Sequence, residues 1–380
     1  MNAIKILHCA DLHFDTPFGD LSREISEIRK EEIKETFSKI IKVAKSEKVD
    51  MFFIAGDLFD NLTAEKSTLE FIRSAMESLN DIKVFIAAGN HDPYSTNSFY
   101  SMIQWPENVY IFNEDIEAVE IPELNTVVYG ASFKEKYIKS SNLKGFIADK
   151  KYENHIKLMI LHGDISQTEG GNEYNPITLE QIEKSSVDYL ALGHRHSFSN
   201  VNRVGNTYYA YSGCPEARGF DELGDKGVII GEVSKNYVNL EFRPVCKRRY
   251  RIKEIDITGL FTSDEIKDKI ISSLSSKEME DDLFKIILKG EVSEEFIIRE
   301  KVIENKLKEN FFFIKIIDNT SLKVDYEALR GEFSIKGIFS SKLLKEIAEC
   351  EDEDEKEVLN LALKLGIQSL SEGEVSLDEN

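Results

Sequence analysis

The chain has 380 residues, 41% of them hydrophobic and 31% charged, with a net charge of −21. That length reads as two domains and a tail rather than one small core. No apolar run approaches a membrane span, and so large an acidic excess speaks against a surface built throughout to grip nucleic acid. Four cysteines, Cys9, Cys214, Cys246 and Cys350, contain no CxxC pair. This argues against a disulfide framework or a zinc knuckle and fits free thiols. The N-terminus enters a strand-like run at once, without a leader, so the expected location is the cytoplasm, with no membrane attachment.

In chain order, the first half alternates strands and helices, the pattern of an α/β layered sheet. Lys5–Ala10 is the first strand. The helix after it carries Ile33, Phe37, Ile40, Ile41 and Ala44 on one face, the spacing of a core-facing stripe. Met51–Ala55 is the second strand, and Leu69, Ile72, Ala75, Met76 and Leu79 mark the inward face of the next helix. Val84–Ala88, Thr126–Tyr129, Lys157–Leu161 and Val187–Leu192 are further strands. Tyr208–Tyr211 leads into a Gly-rich loop, Ser212 to Gly219, and a hairpin over Lys226–Arg243 closes the first domain, residues 1–245. A boundary near Pro244 opens a β-α-β-α-β domain over 246–329, with Thr262 and Glu265 as a capping box. Its elements are a strand from Arg249 to Ile257, a helix from Ser263, a strand from Leu283 to Leu288, a helix from Glu294 and a strand from Phe311 to Ile317.

The tail, 330–380, is helical and acidic. Residues 331–380 hold thirteen acidic and five basic side chains. Leu343, Leu344 and Ile347 form one apolar face, and Val358, Leu361, Ala362 and Leu365 another, with Gly366 as the expected stop. These faces suit either packing onto the tail's own domain or docking on a partner protein.

Five strand ends carry matching chemistry. Asp11 and His13 follow the first, and Gly56 and Asp57 the second, with Asp60 three residues on. Gly89-Asn90-His91-Asp92 follows the third, His162-Gly163-Asp164 ends a later strand, and Gly193-His194-Arg195-His196 ends the last. Ligands of open α/β sheets gather outside the carboxyl ends of the strands. Asp, Asn and His are the hard and borderline ligands of divalent metals. Each residue alone has a bland reading, Asp11 as a cap or His162 as a core histidine; the joint pattern does not. Asp11, His13, Asp57, Asn90, His162, His194 and His196 are seven donors, too many for one ion of low coordination number. Asp57, with two carboxylate oxygens, is the natural bridge between two. Two such ions clamp an in-line phosphoryl displacement. His91 is better placed toward substrate than metal, which suits a general acid, with Asp92 expected to orient its ring.

The motifs D-x-H, GD, GNHD, HGD and GHxH, in this order, resemble the calcineurin-like metallophosphoesterase superfamily over residues 1 to about 243. The resemblance implies one ion held by Asp11, His13, Asp57 and His196, and a second by Asp57, Asn90, His162 and His194. It also implies His91 as the catalytic histidine. Asp57-Leu58-Phe59-Asp60-Asn61 lacks the Arg-Gly of Ser/Thr protein phosphatases, and GNHD replaces their GNHE. The stretch from Ser212 to Glu222 and the Asp225-Lys226-Gly227-Val228 after it are similar to DNA-repair exonuclease subunits of the SbcD/YhaO type. That similarity implies a capping role for the second domain, manganese as the metal and DNA as the substrate. It also implies an SbcC-like coiled-coil ABC-type ATPase bound through the C-terminal helices; a homodimer is a further option. Phosphate contacts normally come from Lys and Arg. The candidates are Lys247-Arg248-Arg249-Tyr250-Arg251, Arg195 and Arg218. The acidity leaves a rival open, a phosphatase or phosphodiesterase of small molecules or nucleotides; a vestigial site on a scaffold is a third reading.

Overall fold

The computed structural model describes residues 3–61, 64–95, 98–113, 115–168, 170–235, 237–293, 296–323 and 334–372. The expected 329/330 boundary and the helix start at Glu294 lie outside them. Two compact units divide the chain, Met1–Arg249 and Tyr250–Asn380.

In the first unit the order is β1 (Ile4–Cys9), α1 (Arg23–Ser46), β2 (Met51–Ala55), α2 (Lys66–Glu77), β3 (Lys83–Ala87), α3 (Phe99–Met102) and β4 (Val109–Ile111). There follow β5 (Glu117–Ile121), β6 (Thr126–Ala131), β7 (Ile156–His162), α4 (Leu179–Ser185), β8 (Tyr189–Gly193), β9 (Asn202–Val204), β10 (Thr207–Tyr211), β11 (Gly227–Ser234) and β12 (Tyr237–Pro244). They build two six-stranded sheets, β12-β11-β1-β2-β3-β4 and β5-β6-β7-β8-β10-β9. The inner strands β1 to β3 run parallel, as do β7 and β8.

Strands buried on both faces read as continuous apolar runs, which is why these five stand out in the sequence. Ile6, Phe53, Phe85, Leu158, Ile160 and Tyr189 fill the layer between the sheets. The alternate residues Leu7, Phe52, Ile54 and Val84 meet the outer helices. On α1 the expected stripe of Ile33, Phe37, Ile40, Ile41 and Ala44 is buried, and Ser22 caps the helix by accepting from the Ile25 N–H. Fully burying side chains of this size contributes about 1.5–3 kcal/mol each. The fold is mixed α/β, with sheets flanked by helices.

The second unit has a parallel sheet of β13 (Tyr250–Asp256), β14 (Leu283–Lys289) and β16 (Phe313–Asp318), with α5 (Ser263–Ser272), α6 (Ser276–Asp281) and α7 (Glu300–Leu307). The pair β15 (Glu291–Val292) and β17 (Ser321–Leu322) stands beside it. Thr262 and Glu265 form the reciprocal capping box read from the sequence.

Two tail helices, Ile335–Glu349 and Glu353–Glu372, belong to this unit. Leu343, Leu344 and Ile347 pack against its core, and Leu363 and Ile367 are buried in it. The second helix bears on both tail expectations and corrects one of them. Its buried side is Leu363 and Ile367, while Val358 and Leu361 stay exposed. Gly366 does not stop the helix, which continues to Glu372. A Cβ at Gly366 would collide with the Phe339 ring, so this glycine permits a close helix approach. No helix among the described residues is long and apolar enough to cross a membrane.

Candidate metal centre

The carboxyl ends of β1, β2 and β3 in one sheet meet those of β7 and β8 in the other. Asp11, His13, Asp57, Asn90 and His162 are buried, and His91, His194 and His196 half-buried. At one end His13 Nε2 faces His196 Nε2 at 3.3 Å, with Asp57 Oδ2 3.7 Å from His13 Nε2 and Asp11 Oδ1 3.9 Å from His196 Nε2. At the other, His162 Nε2 lies 2.9 Å from Asn90 Oδ1 and 3.4 Å from Asp57 Oδ2; His194 Nδ1 is 3.2 Å from the same Asn90 oxygen. All seven sequence candidates therefore come together, with Asp57 near both ends. Donor atoms of Asp11, His13 and His196 lie within 4.8 Å of one another, as do those of Asp11, Asp57 and His162. A third such group is His13, Asp60 and His91.

Backbone conformation explains how closely spaced residues reach different places. Asp11, His13, Asp57 and His194 all have positive φ, at 53°, 47°, 49° and 107°. Non-glycine residues rarely adopt such values, and they gather at functional sites. At His194 the turn breaks strand alternation, so the two histidines of GHRH go to opposite ends. Glycine is needed beside them: a Cβ at Gly89 would collide with the Asp57 carboxylate and N–H, and one at Gly193 with the Ala55 carbonyl.

On two of these rings the second nitrogen is held by an acceptor. His162 Nδ1 meets the Ala55 carbonyl at 2.9 Å; a carbonyl only accepts, so Nδ1 carries a proton and Nε2 is the nitrogen left to face Asn90, Asp57 or a cation. His196 Nδ1 is 2.6 Å from Glu222 Oε1. His13 Nδ1 approaches Asp60 Oδ1 at 3.2 Å, as an ion pair rather than an aligned hydrogen bond. Three Nε2 atoms thus face a space lined by carboxylates, which fits cations.

The electrostatics agree. Burial works against the charged form of His162, but Asp57 and Asp11 outweigh it and push its pKa up to about 9. Burial likewise opposes ionisation of Asp57, and the surrounding histidines still hold it well below the usual carboxylate range. Burial, helped by His162, pulls His194 down to about 4. Two buried carboxylates therefore demand positive charge, from a proton or a metal.

Asp92 does not orient His91. The His91 Nδ1 is held by the Asp60 carbonyl at 2.9 Å. The buried Asp92 carboxylate instead accepts from the Gly89 N–H, the Phe59 N–H and the Tyr100 hydroxyl at 2.8, 3.0 and 2.6 Å. It shapes the GNHD loop, because a buried carboxylate takes the nearest donors. Burial first, then Asp57, push its pKa up to about 6. The backbone N–H of His91 donates to Asp57 Oδ1 at 2.9 Å.

The basic candidates are all engaged within the chain. Arg195 pairs with Asp164 at 2.7 Å and Arg218 with Asp60 at 2.9 Å. Lys247 and Arg248 pair with Glu32, Arg249 with Asp225, and Arg251 with Asp282. Sequence reasoning missed the partners Asp60 and Glu222, although Glu222 closes the quoted Gly-rich segment. It also missed Tyr174, whose ring lies 5.0 Å from that of His194.

Comparison with known proteins gives one family. The profile of the calcineurin-like phosphoesterases matches residues 4–198. The metallophosphoesterase YhaO of Bacillus subtilis is 30% identical over 264 residues, 67% of this chain and 64% of that protein. The DNA double-strand break repair protein Mre11 of Methanocaldococcus jannaschii is 27% identical over 86% of this chain and 87% of its own length. The SbcD component of the nuclease SbcCD from Staphylococcus epidermidis is 23% identical over 70% and 75% respectively.

Proposed function

Because the chain belongs to the calcineurin-like phosphoesterase family, whose members use two divalent metal ions, we propose that it is a phosphodiesterase that hydrolyses DNA. It acts as an exonuclease, an endonuclease or both. The observation that carries this reading is the convergence of seven Asp, Asn and His residues from five strand ends. The repair and nuclease names of two relatives, one of them aligned over 86% of this chain, support DNA as the substrate. One cation is assigned to Asp11, His13, Asp57 and His196, the other to Asp57, Asn90, His162 and His194, and manganese is the metal proposed. When bound, the two ions supply Lewis-acid activation of water and of the phosphoryl group.

The chain's own residues do the rest. The Asp60 carbonyl accepts from His91 Nδ1, so Nε2 is the nitrogen that exchanges a proton with the departing oxygen. Being half-buried beside Asp57, His91 can reach a bound phosphodiester and serve as general acid. Asp92 keeps the loop that carries Asn90 and His91 in shape. Ile335, Ile338, Val358 and Leu361 leave apolar side chains exposed on the tail helices. They are the proposed docking surface for an SbcC-like coiled-coil ATPase, which makes this chain the nuclease component of a repair complex.

A second reading, hydrolysis of a small phosphodiester or nucleotide, is favoured by the net charge of −21 and by the ion-paired basic residues. End-labelled single- and double-stranded DNA, incubated with the protein and Mn²⁺ or Mg²⁺, separates the two. DNA cleavage that falls to background in Asp57→Ala is expected. Turnover of bis(p-nitrophenyl) phosphate with no DNA cleaved, alone or with the ATPase, would favour the small substrate. No Mn²⁺-dependent turnover at all would return the vestigial scaffold.

A further inference from the structure

The two ends of the centre are built differently behind their ligands. At the His162 end the supporting group is a backbone carbonyl, that of Ala55. At the His13/His196 end the supports are side chains, and one guanidinium joins them. Arg218 Nη1 donates to Asp60 Oδ1 at 2.9 Å and Nη2 to Glu222 Oε1 at 3.2 Å. Asp60 Oδ1 is 3.2 Å from His13 Nδ1, and Glu222 Oε1 is 2.6 Å from His196 Nδ1. The Arg218 N–H closes the loop by donating to Glu222 Oε2 at 2.7 Å. Arg218 Nη2 also lies 3.1 Å from His196 Nδ1. With a carboxylate oxygen only 2.6 Å from that nitrogen, the proton belongs on Nδ1, and the guanidinium bond goes to Glu222.

We propose that Arg218, Asp60 and Glu222 form a clasp that positions His13 and His196 for one of the two cations and leaves the other untouched. The inference rests on the two-cation reading above. Three arguments support it. The guanidinium sits between two carboxylates, as a largely buried charge must. Each carboxylate faces the Nδ1 of a different histidine, so both rings present Nε2 to the same point, 3.3 Å apart. A carboxylate behind an imidazole also makes it a better donor than a carbonyl does, and such partners change metal affinity by about 10–100-fold when lost. The clasp reaches the centre from the loop after β10 and from the turn after β2, neither of which contributes a ligand through these side chains. Arg218 is therefore a positioning residue, not a phosphate contact.

The test is Mn²⁺ uptake by the full chain, followed by calorimetry and by electron paramagnetic resonance, with Arg218→Met and Glu222→Gln beside the wild type. Wild type should take up two ions and show the signal of a spin-coupled pair. In both variants one ion should weaken by about 10–100-fold while the other is kept, and the coupled signal should give way to that of isolated Mn²⁺. Circular dichroism checks that each variant is folded; if Arg218→Met is not, Glu222→Gln decides alone. Two ions bound as in wild type, or both lost together from a folded variant, would overturn the clasp and leave the two-cation reading standing. Wild type that takes up no Mn²⁺ would overturn that reading itself, and the clasp with it.

Discussion

Both units of this chain contain parallel strands with helices between them, yet only one gathers Asp, Asn and His at its strand ends. In the first unit β1, β2, β3, β7 and β8 end in Asp, Asn and His, and all seven histidines of the chain lie there. In the second, β13 and β16 end in Asp256 and Asp318, which accept from the N–H groups of Thr258 and Thr320, two residues on. Asp318 also pairs with Lys364 of the second tail helix. Those carboxylates make turns and tie the tail down. The same contrast appears in the backbone: among the described residues, every non-glycine with positive φ lies in the first unit. Four of them, Asp11, His13, Asp57 and His194, aim side chains at a common point, the kind of place where such strain gathers.

The largest effect is expected at His91. Replacing it with alanine should lower turnover by about 10²–10⁴-fold with both Mn²⁺ ions still bound, because its Nδ1 is engaged by the Asp60 carbonyl. Loss of an ion in that variant would make His91 a ligand and remove the general acid. Next in size is a cut in the second unit. Ile286 is fully buried in its core, and Ile286→Ala should cost about 2–5 kcal/mol of stability there. Hydrolysis of bis(p-nitrophenyl) phosphate, measured below the new melting temperature, should hold at the wild-type rate. A matching fall in turnover would mean that the second unit is needed to form the site.

The sequence was most legible where one residue's environment is set by its own strand. The five strands buried on both faces read as apolar runs, and the residues just past them read as ligands. Edge strands did not. In β5, Glu117–Ile121, only every other residue is drawn inward, and β4 and β9 have three residues each. Division into two sheets was also hidden, since it depends on β11 returning to pair with β1. Within the site, the seven converging residues were readable from type and spacing. Their supports were not: Asp92 lost its expected role because Gly89, Phe59 and Tyr100 outcompete the His91 ring for its oxygens. Glu222 gained a role because a loop brings it to His196. Which tail face packs inward was open for a related reason. A stripe of Val358, Leu361 and Leu365 fits helical spacing, but the surface available to pack against selects Leu363 and Ile367.

The smallest expected effect runs through protons at the His162 end of the centre. Although burial opposes its charged form, His162 is pushed up to about 9 by Asp57 and Asp11, above an unfolded value of about 6.5. Without metal, the bound proton therefore stabilises the fold fully below about pH 6.5, and that stabilisation is lost as pH rises through about 9. A cation that takes the Nε2 lone pair must displace this proton. Between pH 7 and 8.5 the apparent Mn²⁺ affinity of the His162 end should rise about tenfold per pH unit, worth about 1.4 kcal/mol. Calorimetry in buffers of different ionisation enthalpy should register close to one proton released per ion at that end. In His162→Gln, which has no titrating ring, this proton release should vanish. An affinity flat across the window in wild type would mean that His162 is already neutral, and that Asp57 and Asp11 draw their positive charge from elsewhere.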